Sequence, residues 1–329
     1  MLRRLLGLLV LALLAAAGAY LWVTRHPLPL PEQPFALTVR QGATLRAVAH
    51  DLTQSGVLPA DWTLIALARL ERADRTIKAG NYDIPAGTTL RGLLAKLTQG
   101  DVSQTSFTIV EGWSWRELKE ALRAEPDLAK TVLDLPDAEL MHAIGGTEPQ
   151  AEGWFFPDTY FFAAGATDAS VLRRAYRTMQ QRLASAWTSR ASGLPLASPY
   201  EALVLASIVE KETGHAADRP LIASVLENRI QHGMRLQSDP TVIYGIAERF
   251  DGNLTRRDLE TDTAYNTYLR DGLPPTPIAL PGQGAIDAVL HPTPTAYLYF
   301  VSRGDGSSEF SASLPEHNRA VSKYQRGGH

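Results

Sequence analysis

Two glutamates, Glu210 and Glu212, close the stretch EALVLASIVEKETG that runs from Glu201 to Gly214. Its apolar residues recur with helical spacing, and Val204, Leu205, Ile208 and Val209 share one face of the wheel. Glu212 falls near the middle of that face, seven residues after Leu205 and four after Ile208. Glu210 points towards the side of Leu203 and Ser207. The spacing predicts an ordinary surface or rim position for Glu210 and burial for Glu212, near the point where Gly214 would stop the helix. Burial disfavours the ionised form and raises a carboxyl pKa. A glutamate that keeps its proton near neutral pH is a general acid suited to a glycosidic bond. The same position also suits a helix-end carboxylate paired with Lys211, Arg219 or Arg229. The helix pattern alone leaves both readings open.

Competing chemistries fall away on residue types. The chain has no cysteine, so disulfides, iron–sulfur clusters, thiolate zinc sites and a Cys nucleophile are excluded. It has no HExxH pair, no Ser-x-x-Lys, no Gly-x-Ser-x-Gly elbow and no Walker A loop. Carboxylate chemistry beside aromatics and amides remains, which is the profile of a carbohydrate-cleaving site. A hydrolase usually sets a second carboxylate opposite the first. Asp239, Asp158 and Glu152 are the candidates, although Asp158 and Asp239 each adjoin a proline, which also suits capping or a turn.

The elements that must position these residues follow from pattern. Val171 to Ala186 and Arg219 to His232 read as helices, with turn-rich chain at 233–240 after the second, followed by the segments 241–247 and 254–259. Residues 263–282 form a long loop carrying Tyr265, Asn266 and Thr267, and ordered loops of that length are usually functional. Residues 285–290 read as a short helix, 296–301 as a strand paired with 310–314, and 315–325 as a closing helix. The segment AEGWFFPDTYFF, 151–162, gathers aromatics around a Pro-Asp turn and suits core packing or a sugar-stacking wall.

Ahead of these, one pattern recurs three times: LTVRQGATLRAVAHDL, YDIPAGTTLRGLLAKL and FTIVEGWSWRELKEAL. Each is a short β run, a glycine at 42, 87 or 112, then Thr44, Thr89 or Ser114 where a helix N-cap is wanted. Ser114 with Glu117 makes a capping box. Such units suit a LysM-like module or plain α+β packing. A helix is expected at 62–70 between the first two. At the N-terminus Arg3 and Arg4 precede 19 apolar residues, Leu5 to Val23, enough to cross a bilayer, with a cleaved signal peptide as the rival reading. His26 to Gln33 reads as a Pro-rich spacer. A net charge of −3 without a long basic run argues against nucleic acid as a partner.

The stretches VEGWSW, EGWFFPDTY, ASIVEKET, Asn228-Arg229, MRLQSDPTVIYG, AYNTY with GLPPTPI, and EHN together resemble the YceG-like family of endolytic murein transglycosylases. The resemblance implies an α+β chain: a transmembrane anchor over 1–25, a linker over 26–36, a LysM-like α/β subdomain over 37–105 and an α+β catalytic domain over 106–329. It implies internal cleavage of peptidoglycan glycan strands at the inner membrane, on the periplasmic side, leaving 1,6-anhydro-N-acetylmuramic acid ends. It implies no cofactor, and work beside peptidoglycan synthases. The family's catalytic glutamate maps to Glu212, with Gln237, Ser238, Asp239, Tyr244, Tyr265, Asn266, Thr267, Glu152 and Asn228 as substrate-binding candidates. Leu280 and Glu309 depart from the family's pattern, which puts contacts of that loop and hairpin in doubt. A non-catalytic wall-binding scaffold and a hydrolytic muramidase are the alternatives.

Overall fold

A computed structural model describes residues 35–39, 42–74, 76–100, 104–163 and 165–325, together with 11, 14, 18, 20–22 and 24–30. The expected membrane-crossing helix at 5–23 falls largely outside the described residues. Among those described, no helix is long and apolar enough to cross a membrane. The architecture is mixed α+β, in two compact units. One holds the chain to Ser106 with 127–129 and 161–166; the other holds 107–126, 130–160 and 167–329.

In the first unit the order is β1 (Phe35–Val39), α1 (Leu45–Gln54), α2 (Asp61–Leu70), β2 (Gly80–Ile84) and α3 (Leu90–Gln99). β1 and β2 pair antiparallel, with Phe35 opposite Ile84 and Val39 opposite Gly80. Leu37 and Val39 alternate inward from β1 onto Leu52, Leu64, Tyr82 and Leu93. The repeated turns behave as their chemistry requires. Gly42, Gly87 and Gly112 take φ of +80°, +85° and +79°, and Thr44, Thr89 and Ser114 each accept a backbone N–H three residues on. The spacer expectation needs correcting where it can be seen. Leu28 donates its N–H to Thr88 O at 2.8 Å, and Leu28 and Leu30 pack against this unit's core. Apolar side chains in the Pro-rich stretch dock it instead of leaving it free.

β3 (Gln104–Thr108) pairs with β4 (Thr159–Ala163). The longer helices of the second unit, ahead of its last hairpin, are α4 (Trp115–Ala124), α5 (Asp137–Ile144), α6 (Asp168–Thr188), α7 (Pro199–Glu212), α8 (Arg219–Gln231), α9 (Asp239–Gly245) and α10 (Gln283–Leu290), and a single helical turn, Arg256–Leu259, lies between the last two. A hairpin, β5 (Tyr299–Ser302) with β6 (Ser308–Ser311), and α11 (Leu314–Tyr324) complete it. The aromatic segment serves packing: Phe155, Phe156 and Tyr160 are buried.

α7 is the centre. Ser198 caps it by accepting the Glu201 N–H at 3.2 Å, and Pro199 starts it. Every residue from 202 to 209 is buried, because α6, α8, α9 and α10 all pack on it. A helix that is apolar all round has no surface face, and this overturns the rim expectation for Glu210. Its side chain is 5% exposed, and the long loop covers it. Nor does Gly214 end the helix: the chain leaves it in extended backbone at Thr213, φ −150° and ψ 135°.

Glu227 in α8 is buried, its Oε1 has no partner among the described residues, and desolvation lifts its carboxyl to about 8. The folded state therefore holds a proton that the unfolded chain releases near its ordinary value of 4.5. Stability is lost as pH rises from that value through about 8, and the full penalty stands above it. Glu227→Met should raise stability at pH 8.5 by roughly 1–3 kcal/mol and by much less at pH 5. Urea unfolding at the two pH values checks this.

Candidate active site

Glu212 is the last residue of α7. It is half-buried, crowded enough for desolvation to lift its carboxyl to about 7 while part of the side chain still meets solvent. Asp239 pushes the same way, and the helix's C-terminal carbonyls disfavour a carboxylate there. Two groups oppose: the Ser238 hydroxyl donates to Oε1 at 2.5 Å, and the Arg229 guanidinium favours the charged form from further off. Oε2 has no hydrogen-bond partner among the described residues. One oxygen is thus fixed, and the other is free to hold a proton towards a ligand.

Ser238 stands where it does because the turn before it is held. Gln237 takes φ +50°, a left-handed conformation that a non-glycine residue adopts at a cost. Its N–H donates to Thr267 O at 3.1 Å, and its Oε1 accepts from Arg229 Nη1 at 3.3 Å. The Ser238 N–H donates to Thr267 Oγ1 at 3.0 Å, and Thr241 Oγ1 lies 2.8 Å from the same oxygen. Asp239 opens α9 and accepts the Tyr268 hydroxyl at 2.5 Å.

At the other end of α9, Tyr244 donates to Glu152 Oε2 at 2.9 Å. Both oxygens of Glu152 also accept the Trp115 N–H, 2.9 and 3.1 Å, at the start of α4. Burial lifts this carboxyl too, to about 7. Only glycine fits beside it, since Gly153 has φ +82° and a Cβ there would lie 2.4 Å from the Pro277 ring. Tyr244 meets Tyr265 edge-on at 4.7 Å, and the Tyr265 hydroxyl lies 2.9 Å from Thr276 Oγ1. A cleft of about 790 Å³ runs along α9, lined by Lys211, Glu152, Tyr244, Tyr265, Ile278 and the N-terminal turn of α4.

The structure brings Glu212, Gln237, Ser238, Asp239 and Thr267 into one group, and Glu152, Tyr244 and Tyr265 onto the cleft wall. It does not bring in Asn266 or Asn228 as ligand-facing amides. Asn266 is wholly buried, donates to Leu259 O and Thr261 O, and accepts the Tyr268 N–H. Asn228 donates to Thr295 O and Tyr297 O. Both hold loops, because carbonyls in irregular chain need donors that no helix supplies. Asp158 accepts its neighbour's N–H at 2.7 Å and serves a turn.

The clasp on the long loop is absent from the sequence reading. Ser207 accepts the Ile278 N–H at 2.9 Å and Glu210 accepts the Gly282 N–H at 2.9 Å, while Arg219 Nη2 reaches Glu210 at 3.3 Å. Gly284 and Gly282 leave space that Arg219 and Glu111 occupy. Tyr268, one residue beyond Thr267, is also missed; its place in AYNTY was the available signal.

A family model described as the YceG-like family matches residues 37–323. The chain belongs to the YceG-like family. An endolytic murein transglycosylase of Bacillus subtilis (strain 168) is 30% identical to this YceG-like chain over 305 residues, 88% of the chain and 84% of the relative. One from Streptococcus pneumoniae (strain D39) is 26% identical, covering 96% of the chain and 64% of the relative. A crystal structure of a yceG-like protein from Listeria monocytogenes aligns with a TM-score of 0.56 at 27% identity, covering 88% of this YceG-like chain and all of that one.

Removing the Ser238 hydroxyl deletes a bond to the ionised form. Ser238→Ala should raise the Glu212 pKa above about 7, by roughly one to two units. Carboxyl-carbon NMR titration, with Glu212→Gln to assign the signal, measures it.

Proposed function

We propose that the chain is a lytic transglycosylase that cleaves peptidoglycan glycan strands internally, between N-acetylmuramic acid and N-acetylglucosamine. The observation that carries this is the Glu212 carboxyl: near 7, bonded on Oε1, free on Oε2. The curated relatives with the same name support the reaction class.

Protonated Oε2 gives its proton to the glycosidic oxygen as the C1–O bond breaks. The N-acetylglucosamine end leaves as an alcohol. Positive charge grows on the muramic ring, and the sugar's own acetamide and the cleft dipoles stabilise it. The carboxylate then takes the proton of the C6 hydroxyl as that oxygen closes on C1. A 1,6-anhydro ring forms and Glu212 is protonated again. Atoms balance without water, so one carboxyl suffices as acid and then base.

A muramidase is the second reading, because Glu152 is a second carboxyl near 7, and it lines the cleft where Glu212 does not. Its oxygens are engaged by Trp115 and Tyr244, which favours a structural task. The strand–helix–helix–strand order of the first unit supports a LysM-like glycan-gripping role. The apolar run at 5–23 supports a tether to the inner membrane, with the rest on the periplasmic side near strand synthesis.

Glu212→Gln should fold as the parent does and release at least about a thousandfold fewer fragments from peptidoglycan. Mass spectrometry of parent digests decides the product: anhydro ends weigh one water less than reducing ends. Reducing ends would overturn the transglycosylase reading. The parent's rate should fall as pH rises through about 7, where Glu212 loses its proton. A flat alkaline limb would remove Glu212 as the acid.

A further inference from the structure

Two guanidinium groups on the cleft have no assigned task. Arg116, in the first turn of α4, and Arg249, after α9, both line the same cleft as Glu152, Tyr244 and Tyr265. Both are exposed. Neither forms an ion pair or a side-chain hydrogen bond among the described residues. Lys211 lines the cleft as well, but its Nζ donates to Gly112 O at 3.1 Å. The one other carboxylate on this wall, Glu117, accepts the N–H and the hydroxyl of Ser114, both at 2.7 Å, and feels the charges of Lys211 and Arg116 without bonding either. The cleft therefore combines an aromatic and aliphatic side, Tyr244, Tyr265, Ile243 and Phe250, with a side where two guanidinium groups lie near Glu117 and Asp258 in charge but form no direct bond to either.

A neutral sugar chain needs the first side only. Sugars stack on aromatic rings and hydrogen-bond to amides and hydroxyls; they offer nothing for a free guanidinium to neutralise. Two arginines kept unpaired beside such a surface are suited to planar oxyanions, which a guanidinium binds through two parallel bonds. In a peptidoglycan strand every second sugar carries a peptide branch with free carboxylates, so any bound stretch presents one near the bond to be cut. A lipid pyrophosphate is also anionic, but it sits at a single end of a strand.

We infer that Arg116 and Arg249 form a subsite for the carboxylates of the peptide branch, so that the cleft selects strands that still carry their peptides. This rests on the glycan-strand reading above and adds a part of the substrate to it.

Binding can be measured apart from cleavage. In the Glu212→Gln background, calorimetry would compare lipid-free glycan strands that keep their peptides with the same strands stripped by an amidase and then capped as methylamides on the lactyl carboxylates that stripping exposes. Peptide-bearing strands should bind about tenfold more tightly in low salt, and the difference should shrink in 0.5 M salt. With Arg116→Gln and Arg249→Gln added, the difference should fall to about twofold or less while stripped strands bind as before. Both side chains are exposed, and the unchanged affinity for stripped strands reports that the fold is intact. Equal affinity for the two strand types with both arginines present would overturn the subsite alone. So would an equal loss for both types in the double variant. A stripped and capped strand that still carries its lipid pyrophosphate serves as a third probe, and recovery of the tenfold gain there would overturn the peptide branch as the ligand. Failure of every strand to bind would instead remove the glycan-strand reading itself.

Discussion

Arg229 lies buried in the second unit with its Nε on Leu298 O and its Nη1 shared among Arg235 O, Leu236 O and Gln237 Oε1. Its guanidinium also sits 5.2 Å from the Tyr299 ring centroid. One cation thereby joins α8, the turn at 235–237 and the start of the last hairpin. Burying a charge without partners is prohibitive, so the surrounding carbonyls must come to it. The left-handed Gln237 follows from that requirement, and the place of Ser238 follows from Gln237. The bond that fixes Glu212 Oε1 is the last step of this chain. Substituting Arg229 would thus disturb the site through geometry as well as through charge.

α9 connects two carboxyls of similar acidity. Ser238 before its first turn holds Glu212, and Tyr244 near its end holds Glu152. Desolvation is the leading cause of both raised values. The partners differ, however. Glu152 meets the donor end of α4, which favours its ionised form, while Glu212 sits at an acceptor end, which favours the proton. Helix ends thus give two like residues different tendencies, and only one keeps an oxygen free.

Much of this was legible in the residues. The turn glycines and N-caps at 44, 89 and 114 act through bonds to residues three positions away, so local sequence contains the whole interaction. The desolvation of the Glu212 carboxyl was also legible, though for a partly mistaken reason. The wheel assumed a surface helix with one apolar face, whereas α7 is covered on every side. The same assumption misplaced Glu210, whose partners Gly282 and Arg219 lie 72 and nine residues away. Asn266 was misread because a buried amide clasping carbonyls and an amide facing a sugar have the same one-letter code. Long-range bonds of this kind leave no periodicity to read.

The enclosure of α7 has a consequence for the order in which the core is completed. Its lining includes α10, which begins at Gln283, some eighty residues after the middle of α7 along the chain. Until that segment arrives, the side of α7 that it covers stays wet, and the apolar cluster holding Ile208 and Val209 lacks Ala285, Ile286 and Val289. An emerging or proteolytically shortened chain therefore carries the helix without its full cover. Closure of the core thus waits for one of the last segments of the chain to dock.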